Sequence, residues 1–402
     1  MNLLHHKSGR AILVFSLYLS EGAPIGFIWW ALPTILRNKQ VEVEQIASLT
    51  AFLVLPWVFK FLWAPLVDTL RTPRFGFKGW ITCSQVIMAA SLLPILFINP
   101  AENIAYWGLF LIIHSFAAAT QDVAIDALVI NTVVKNERGL LNGYMQAGML
   151  VGRSVFGGGA LLMVASFGLP VVLVLLMTSI LITLVLLAFV KEPAFVKTND
   201  KKLSNLFSQL KLSFGSKNTW LVILFALTGA AAFESAGALA GPFLTDQKVP
   251  EETIGFFFAI PVVAAMLLGA LAGGKFSDLF NRVKSVSVFL TGFTVVVIII
   301  SILHLSFSAI SITTYLIAFG AMYFFVGLFT ASSYALFMDN TNPKIGATQF
   351  STYMAATNGC ESWSVWAAGK ITGLSGYSYA FLAMSLVSLL SLFVMRKINR
   401  NS

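Results

Sequence analysis

Charge is scarce in this chain. Asp, Glu, Lys and Arg make up only 11% of its 402 residues, where a soluble domain carries roughly 25%. So sparse a set cannot cover the water-facing surface of a protein this size, which excludes a soluble enzyme. Cysteine is rarer still. Cys83 and Cys360 stand alone inside apolar runs, where buried thiols are expected, and they support neither a disulfide framework nor a metal site. Four histidines without metal-ligand spacing add no cluster, so no metal or other cofactor is expected. Long polar stretches are missing too, apart from residues 191–217. That leaves no loop large enough for the donor site of a membrane-embedded acyl or glycosyl transferase. The segment from Gly269 to Gly274-Lys275 has the spacing of a phosphate-binding loop, but Phe276 stands where Ser or Thr would hold magnesium. No nucleotide-binding site remains.

What is present is apolar sequence, 57% of the chain. A helix needs about 20 apolar residues to cross a hydrocarbon core of roughly 30 Å. The pattern predicts twelve helices, over 11–36, 45–67, 79–98, 103–131, 140–164, 170–190, 218–244, 253–274, 285–303, 311–338, 347–371 and 377–395. The N-terminal run with Lys7 and Arg10 before it is read as an uncleaved first span, since it is too long for a signal peptide. The fold class expected is an all-α membrane protein, with the lipid bilayer as its solvent. The net charge of +9 lies in short connectors at alternating ends of the runs, which argues against a nucleic-acid partner. One set of loops holds Lys7, Arg10, Arg71, Arg74, Lys78, Lys135, Arg138, the run 191–217, Lys275, Arg282, Lys284, Lys344, Arg396, Lys397 and Arg400. The other set holds only Arg37, Lys39 and Lys248. The positive-inside rule places the first set, and both termini, in the cytoplasm.

The chain also repeats. At an offset near 209, Pro33 matches Pro242, Glu44 and Ile46 match Glu252 and Ile254, Tyr144-Met145 matches Tyr353-Met354, and Asp68 matches Asp278. The expected organisation is an N-terminal six-helix bundle (1–190), a cytoplasmic linker (191–217) and a C-terminal six-helix bundle (218–402). Two parallel six-helix repeats are the build of the major facilitator fold, whose solute site lies near the midplane at the repeat interface. A repeat of this kind suits alternating access better than a channel.

Several blocks resemble one branch of that superfamily, which holds the AmpG-type muropeptide permeases, the acetyl-CoA transporters and the single-chain siderophore permeases of the rhizobactin and pyochelin type. They are Leu55-Pro56-Trp57, the run Lys60-Phe61-Leu62-Trp63-Ala64-Pro65-Leu66-Val67-Asp68, Ala119-Thr120-Gln121-Asp122-Val123-Ala124-Ile125-Asp126, and Glu137-Arg138-Gly139 with Asn142-Gly143. Pro24-Ile25-Gly26-Phe27, Leu32-Pro33 and Leu36-Arg37 are more similar to the siderophore permeases; Ala347-Thr348-Gln349-Phe350 is more similar to the muropeptide permeases. The family's arginine early in helix 5 is replaced by Leu150 here, with Arg153 one turn later. The resemblance implies an inner-membrane secondary transporter, a symporter taking up a small molecule with H+ as coupling ion. A siderophore is the first expectation for the cargo, a muropeptide (an anhydro-sugar bearing a peptide) the second and an exported small molecule the third.

An ionisable group at the bilayer centre costs roughly 3 kcal/mol or more, so those inside spans need a partner or a role. Asp122 and Asp126, four apart, share a helical face. From depth along ideal helices, the expected pairs are Lys60–Asp126 and Arg153–Asp122, either static or exchanging with a proton or substrate during transport. Glu21 and Glu234, on helices 1 and 7, are candidates for the coupling site or for a solvated wall, and Glu361 is a third. Lys370 is a further charge within helix 11. Trp29 and Trp30 suit either stacking on a flat substrate or packing. His114 is read as a hydrogen-bonded packing residue, with a proton relay as the alternative. The loops with Asp68, Arg71 and Arg74, and with Asp278, Arg282 and Lys284, resemble the superfamily's cytoplasmic gate, where ion pairs form a latch. Gly148, Gly152, Gly157, Gly158 and Gly159 are expected to let a neighbouring helix approach closely.

Overall fold

The computed structural model describes residues 2–70, 72, 75–132, 138–192, 215–307, 310–341 and 346–398. Among these the chain is all helical. The spans are α1 (Lys7–Asn38), α2 (Val43–Leu62), α3 (Phe77–Phe97), α4 (Ile104–Thr132), α5 (Arg138–Phe156, continued past Gly157 by Gly158–Phe167), α6 (Leu169–Ala188), α7 (Lys217–Asp246), α8 (Glu251–Ser277), α9 (Arg282–Ser306), α10 (Ile312–Asp339), α11 (Gly346–Ser375) and α12 (Tyr377–Ile398). All but α11 are long and apolar enough to cross a membrane. At 30 residues α11 has ample length, but Gln349, Thr357, Asn358, Glu361 and Lys370 lower its apolarity. Large apolar side chains such as Leu271 and Ile317, each 67% exposed, point out of the helices. The molecule is a multi-pass membrane protein. The linker residues 193–214 lie outside the described residues.

Local chemistry sets the helix ends. Asn281 and Ser311 cap α9 and α10, their side-chain oxygens accepting from the amides of Lys284 and Thr314, each at 3.1 Å. At the other end of α1, the Val41 amide donates to the Leu36 carbonyl at 3.1 Å while Gln40 adopts a φ of 64°. The end of α7 repeats this closure: Val249 donates to Leu244 at 3.1 Å, and Lys248 has a φ of 62°. This is the six-to-one bond that satisfies an orphan carbonyl where a helix stops. Gly168 and Gly376 open α6 and α12 with φ values of 81° and 93°, a backbone region that glycine tolerates. Gln40 and Lys248 are 208 positions apart, and so are Gly168 and Gly376. The sequence repeat is therefore also a repeat of backbone geometry.

Two expectations change. Helix 2 does not run unbroken over 45–67. Its α-helical part ends at Phe59, a tighter turn spans Lys60–Leu62, and a short helix Ala64–Thr69 follows. Pro65 is the cause, since a proline lacks the amide and crowds the carbonyl four residues earlier, here Phe61. Cys83 is not buried: it lies exposed on α3, while Cys360 is buried as expected.

The helices gather into two compact units that are not contiguous in the chain. The first comprises 1–41, 59–197 and 250–260, the second 42–58, 198–249 and 261–402. In the first, α1 and α5 meet backbone to backbone. A methyl group on Gly26 would lie 2.6 Å from the Arg153 carbonyl oxygen, and one on Gly152 only 2.5 Å from that of Leu19. Gly158 sits against the backbone of Gly255 and Ala259, where the Ser154 hydroxyl donates to the Ala259 carbonyl at 2.6 Å. The glycine row of α5 is thus a packing surface, as expected. Leu13, Leu17, Ile81, Ile125 and Leu128 fill the apolar core beside it. The second unit is centred on Phe243, ringed by His304, Tyr315, Phe319, Tyr377 and Phe381 at centroid distances of 5.1–6.1 Å. Gly269 and Gly273 lie against the α10 backbone, so the loop-like spacing near Lys275 serves helix packing.

Candidate functional site

The first unit holds a polar cluster in an otherwise apolar interior. Lys60, on the tight turn of α2, forms an ion pair with Asp122 of α4, their side chains 24% and 10% exposed. One turn further along α4, Asp126 accepts a hydrogen bond from the Tyr18 hydroxyl of α1. Glu21, three residues on from Tyr18, is 3% exposed, and its Oε2 has no hydrogen-bond partner among the described residues. It lies in the field of Asp122, Asp126, Lys60 and Arg153. Ser20 donates to the Leu17 carbonyl at 2.7 Å and accepts from the amides of Gln85 at 3.3 Å and Gln121 at 3.4 Å. The Oε1 atoms of both glutamines, and Nε of Arg153, are also buried without a partner among the described residues.

The pairs expected from ideal helix depths are corrected by this geometry. Lys60 meets Asp122 and not Asp126, because the turn at 60–62 rises about 2.0 Å per residue instead of 1.5 Å and redirects the side chain. Asp126 is held by Tyr18. Arg153 and Asp122 form no ion pair among the described residues, and Arg153 is one of four charges near Glu21, the weakest in its effect there. Hydrogen-bonded Tyr18, Ser20 and Gln85 went unnoticed in the sequence, and Gln121 was noted only as part of a family block, because uncharged polar residues do not stand out in an apolar run. A signal existed nonetheless. Tyr18 is one turn from Glu21, and Gln121 adjoins Asp122.

The other candidates are dispersed. Trp29 and Trp30 lie in a widened turn of α1, Phe27–Ala31. Trp30 is stacked on Phe258 at 5.5 Å and 14°, a packing role within the first unit. His114 is buried, its Nδ1 3.0 Å from the Met88 carbonyl and 3.3 Å from the Ser91 hydroxyl, consistent with packing. Glu234 and Glu361 belong to the second unit, where both act on Cys360 and Glu234 also on Tyr323. Trp363, near Glu361, donates to the Leu227 carbonyl at 2.7 Å. Lys370 forms an ion pair with Glu44. Of the gate residues, Arg71, Arg74 and the side chains of Asp68 and Asp278 lie outside the described residues. Arg282 makes a 3.1 Å ion pair with Asp339. No group of three or more His, Cys, Asp or Glu able to hold a metal is found among the described residues.

In chemical terms the cluster sets three carboxyl groups (Glu21, Asp122, Asp126) against two cations (Lys60, Arg153) inside a membrane bundle. Such a set is electrically balanced when one carboxyl carries a proton.

Comparison with known proteins follows the same line. The Major Facilitator Superfamily profile matches residues 11–246. The chain is 23% identical over 98% of its length to a protein named "Putative transporter AmpG 4" of Rickettsia conorii, covering 97% of that protein. It is 24% identical over 86% of its length to the anhydromuropeptide permease of Escherichia coli K12, covering 71% of it. Among solved structures, a D-xylose–proton symporter superposes with a TM-score of 0.78 at 12% identity, over 96% of this chain and 97% of that one. A bacterial homologue of the human lysosomal transporter Spinster superposes at 0.74 and 14% identity, over 98% and 97%. With the profile matching more than half of its length, this chain belongs to the Major Facilitator Superfamily.

Proposed function

We propose that the protein is a proton-driven permease that carries a muropeptide, an anhydro-sugar bearing a peptide, into the cytoplasm across a bacterial inner membrane. In this reading two six-helix halves, 1–190 and 218–402, alternate access, with both termini and the 191–217 linker in the cytoplasm. The AmpG-named relative, matched over nearly its whole length, and the anhydromuropeptide permease support the substrate class. They reverse the order read from sequence, which set a siderophore first.

The observation that carries the coupling is the surplus of one carboxyl in the buried cluster of the first unit. Leaving an unpaired charge there costs several kcal/mol, so the cluster takes a proton when Lys60 holds Asp122. Movement of Lys60 between carboxylates would pass that proton from one carboxyl to another, and entry of water from the cytoplasmic side would let the protonated carboxyl ionise and release it. Glu21 is the first choice for the proton carrier: Lys60 pairs with Asp122 and Tyr18 donates to Asp126, whereas Oε2 of Glu21 has no hydrogen-bond partner among the described residues. Asp68, Arg71, Arg74, Asp278 and Arg282 form the proposed cytoplasmic latch.

The test is uptake of labelled anhydromuropeptide by a strain lacking its own permease and expressing this chain, with and without a protonophore. A labelled ferric siderophore is run in parallel. Accumulation of muropeptide alone, abolished by the protonophore, is expected. Accumulation of the siderophore alone restores the first sequence expectation, and accumulation that ignores the protonophore removes proton coupling.

A further inference from the structure

A groove of about 580 Å³ opens on the second unit between α9, α10 and α12, with no residue of the polar cluster in its lining. Its wall along α9 includes Ser287, Thr291 and Val295, residues four apart that share one face of the helix. The hydroxyls of this wall are spent on their own helix, Ser287 donating to Val283 at 2.7 Å and Thr291 to Ser287 at 2.8 Å. The remaining surface is apolar, with Phe325 from α10 and Leu392 from α12. Val295 is 44% exposed, so the groove faces outward.

At one end stands Arg396, in the last turn of α12. Its guanidinium lies 5.8 Å from the centroid of the Phe393 ring, and no carboxylate pairs with it among the described residues. Lys397 adjoins it, and Lys284, in the first turn of α9, is exposed. The α9 wall runs from Ser287 to Val296, about 13 Å at 1.5 Å per residue. That is close to half of a hydrocarbon core of roughly 30 Å, the depth of one leaflet. An apolar channel about one leaflet deep, ending at an arginine in the last turn of α12 that pairs with no carboxylate among the described residues, matches a phospholipid in shape and charge.

We propose that this groove is a binding site for an anionic phospholipid, with an acyl chain along α9 and the headgroup phosphate on Arg396. Arginine binds phosphate through a planar fork of donors. A zwitterionic headgroup, which neutralises its own phosphate, is held less well. The site does not depend on the proposed substrate or on proton coupling.

The experiment is native mass spectrometry and thermal unfolding of the purified full chain with phosphatidylglycerol or phosphatidylcholine added at equal concentration. Retention of phosphatidylglycerol at least fivefold over phosphatidylcholine, with a higher Tm, is expected. Arg396→Gln should bring the two lipids to parity. Val295→Trp, which fills the groove from its exposed side, should lower retention of phosphatidylglycerol severalfold without lowering the lipid-free Tm. Lys275→Gln, a cation on α8 that does not line the groove, should change neither. Equal retention of the two lipids by the unaltered protein overturns the proposal, as does undiminished preference in both the Arg396 and Val295 variants.

Discussion

Replacing Asp122 by Asn leaves the Lys60 ammonium without its partner in a site where it is only partly reached by solvent. Breaking one side of a buried pair costs about 3 kcal/mol, yet a large helical membrane protein tolerates that and still inserts. Asp122→Asn should therefore reach the membrane at normal levels and lose at least tenfold of its substrate accumulation; full accumulation would take Asp122 out of the mechanism. Tyr18→Phe removes only the donor to Asp126. Its expected effect is about 1 kcal/mol of stability, seen as a lower Tm in detergent, with transport slowed but present. The charged members of this cluster were legible in the sequence because an acid or base in an apolar run is conspicuous. Their partners were not, since pairing depends on a helix irregularity at Lys60 and on an oxygen of Tyr18, neither of which follows from spacing alone.

Helix ends and helix contacts carry their own predictions. At the start of α3, the Glu192 carboxylate accepts from the amides of Phe77, at 3.1 Å, and Lys78. The Lys78 ammonium in turn donates to the Val190 carbonyl just beyond α6, at 3.2 Å. An anion at a helix N-terminus and a cation near a helix C-terminus both complement the helix dipole. Each is worth about 1 kcal/mol, so Glu192→Gln and Lys78→Met should each lower the Tm slightly. Their double variant should lose less than the sum, because the two residues bridge the same elements; strict additivity would show that the two caps act independently. Gly152→Leu should be far more damaging, because it drives a side chain into the α1 backbone at Leu19. Loss of the monodisperse species in size-exclusion chromatography is expected, whereas normal elution and Tm would mean that the α1–α5 contact is not tight. The glycine row predicted this packing. The break in α2 was also written in the sequence, at Pro65, but a hydropathy pattern passes over one proline in an apolar run.

Among the described residues, the twelve apolar runs of the sequence correspond to helices to within a few residues at most ends, because the hydrocarbon thickness fixes helix length so strongly. Even the repeat near 209 has a backbone counterpart in Gln40 with Lys248 and Gly168 with Gly376. The grouping of 42–58 with the second unit and 250–260 with the first was not readable, since no local pattern records which helix packs against which. The central claim is that the cluster of Glu21, Lys60, Asp122, Asp126 and Arg153 carries the coupling proton. It is tested most directly by proton movement in proteoliposomes containing a pH-sensitive dye, when anhydromuropeptide is added outside. The account predicts substrate-driven acidification of the lumen with the unaltered protein, and none with Glu21→Gln, although that variant still exchanges labelled for unlabelled substrate. Acidification by Glu21→Gln equal to that of the unaltered protein would contradict it.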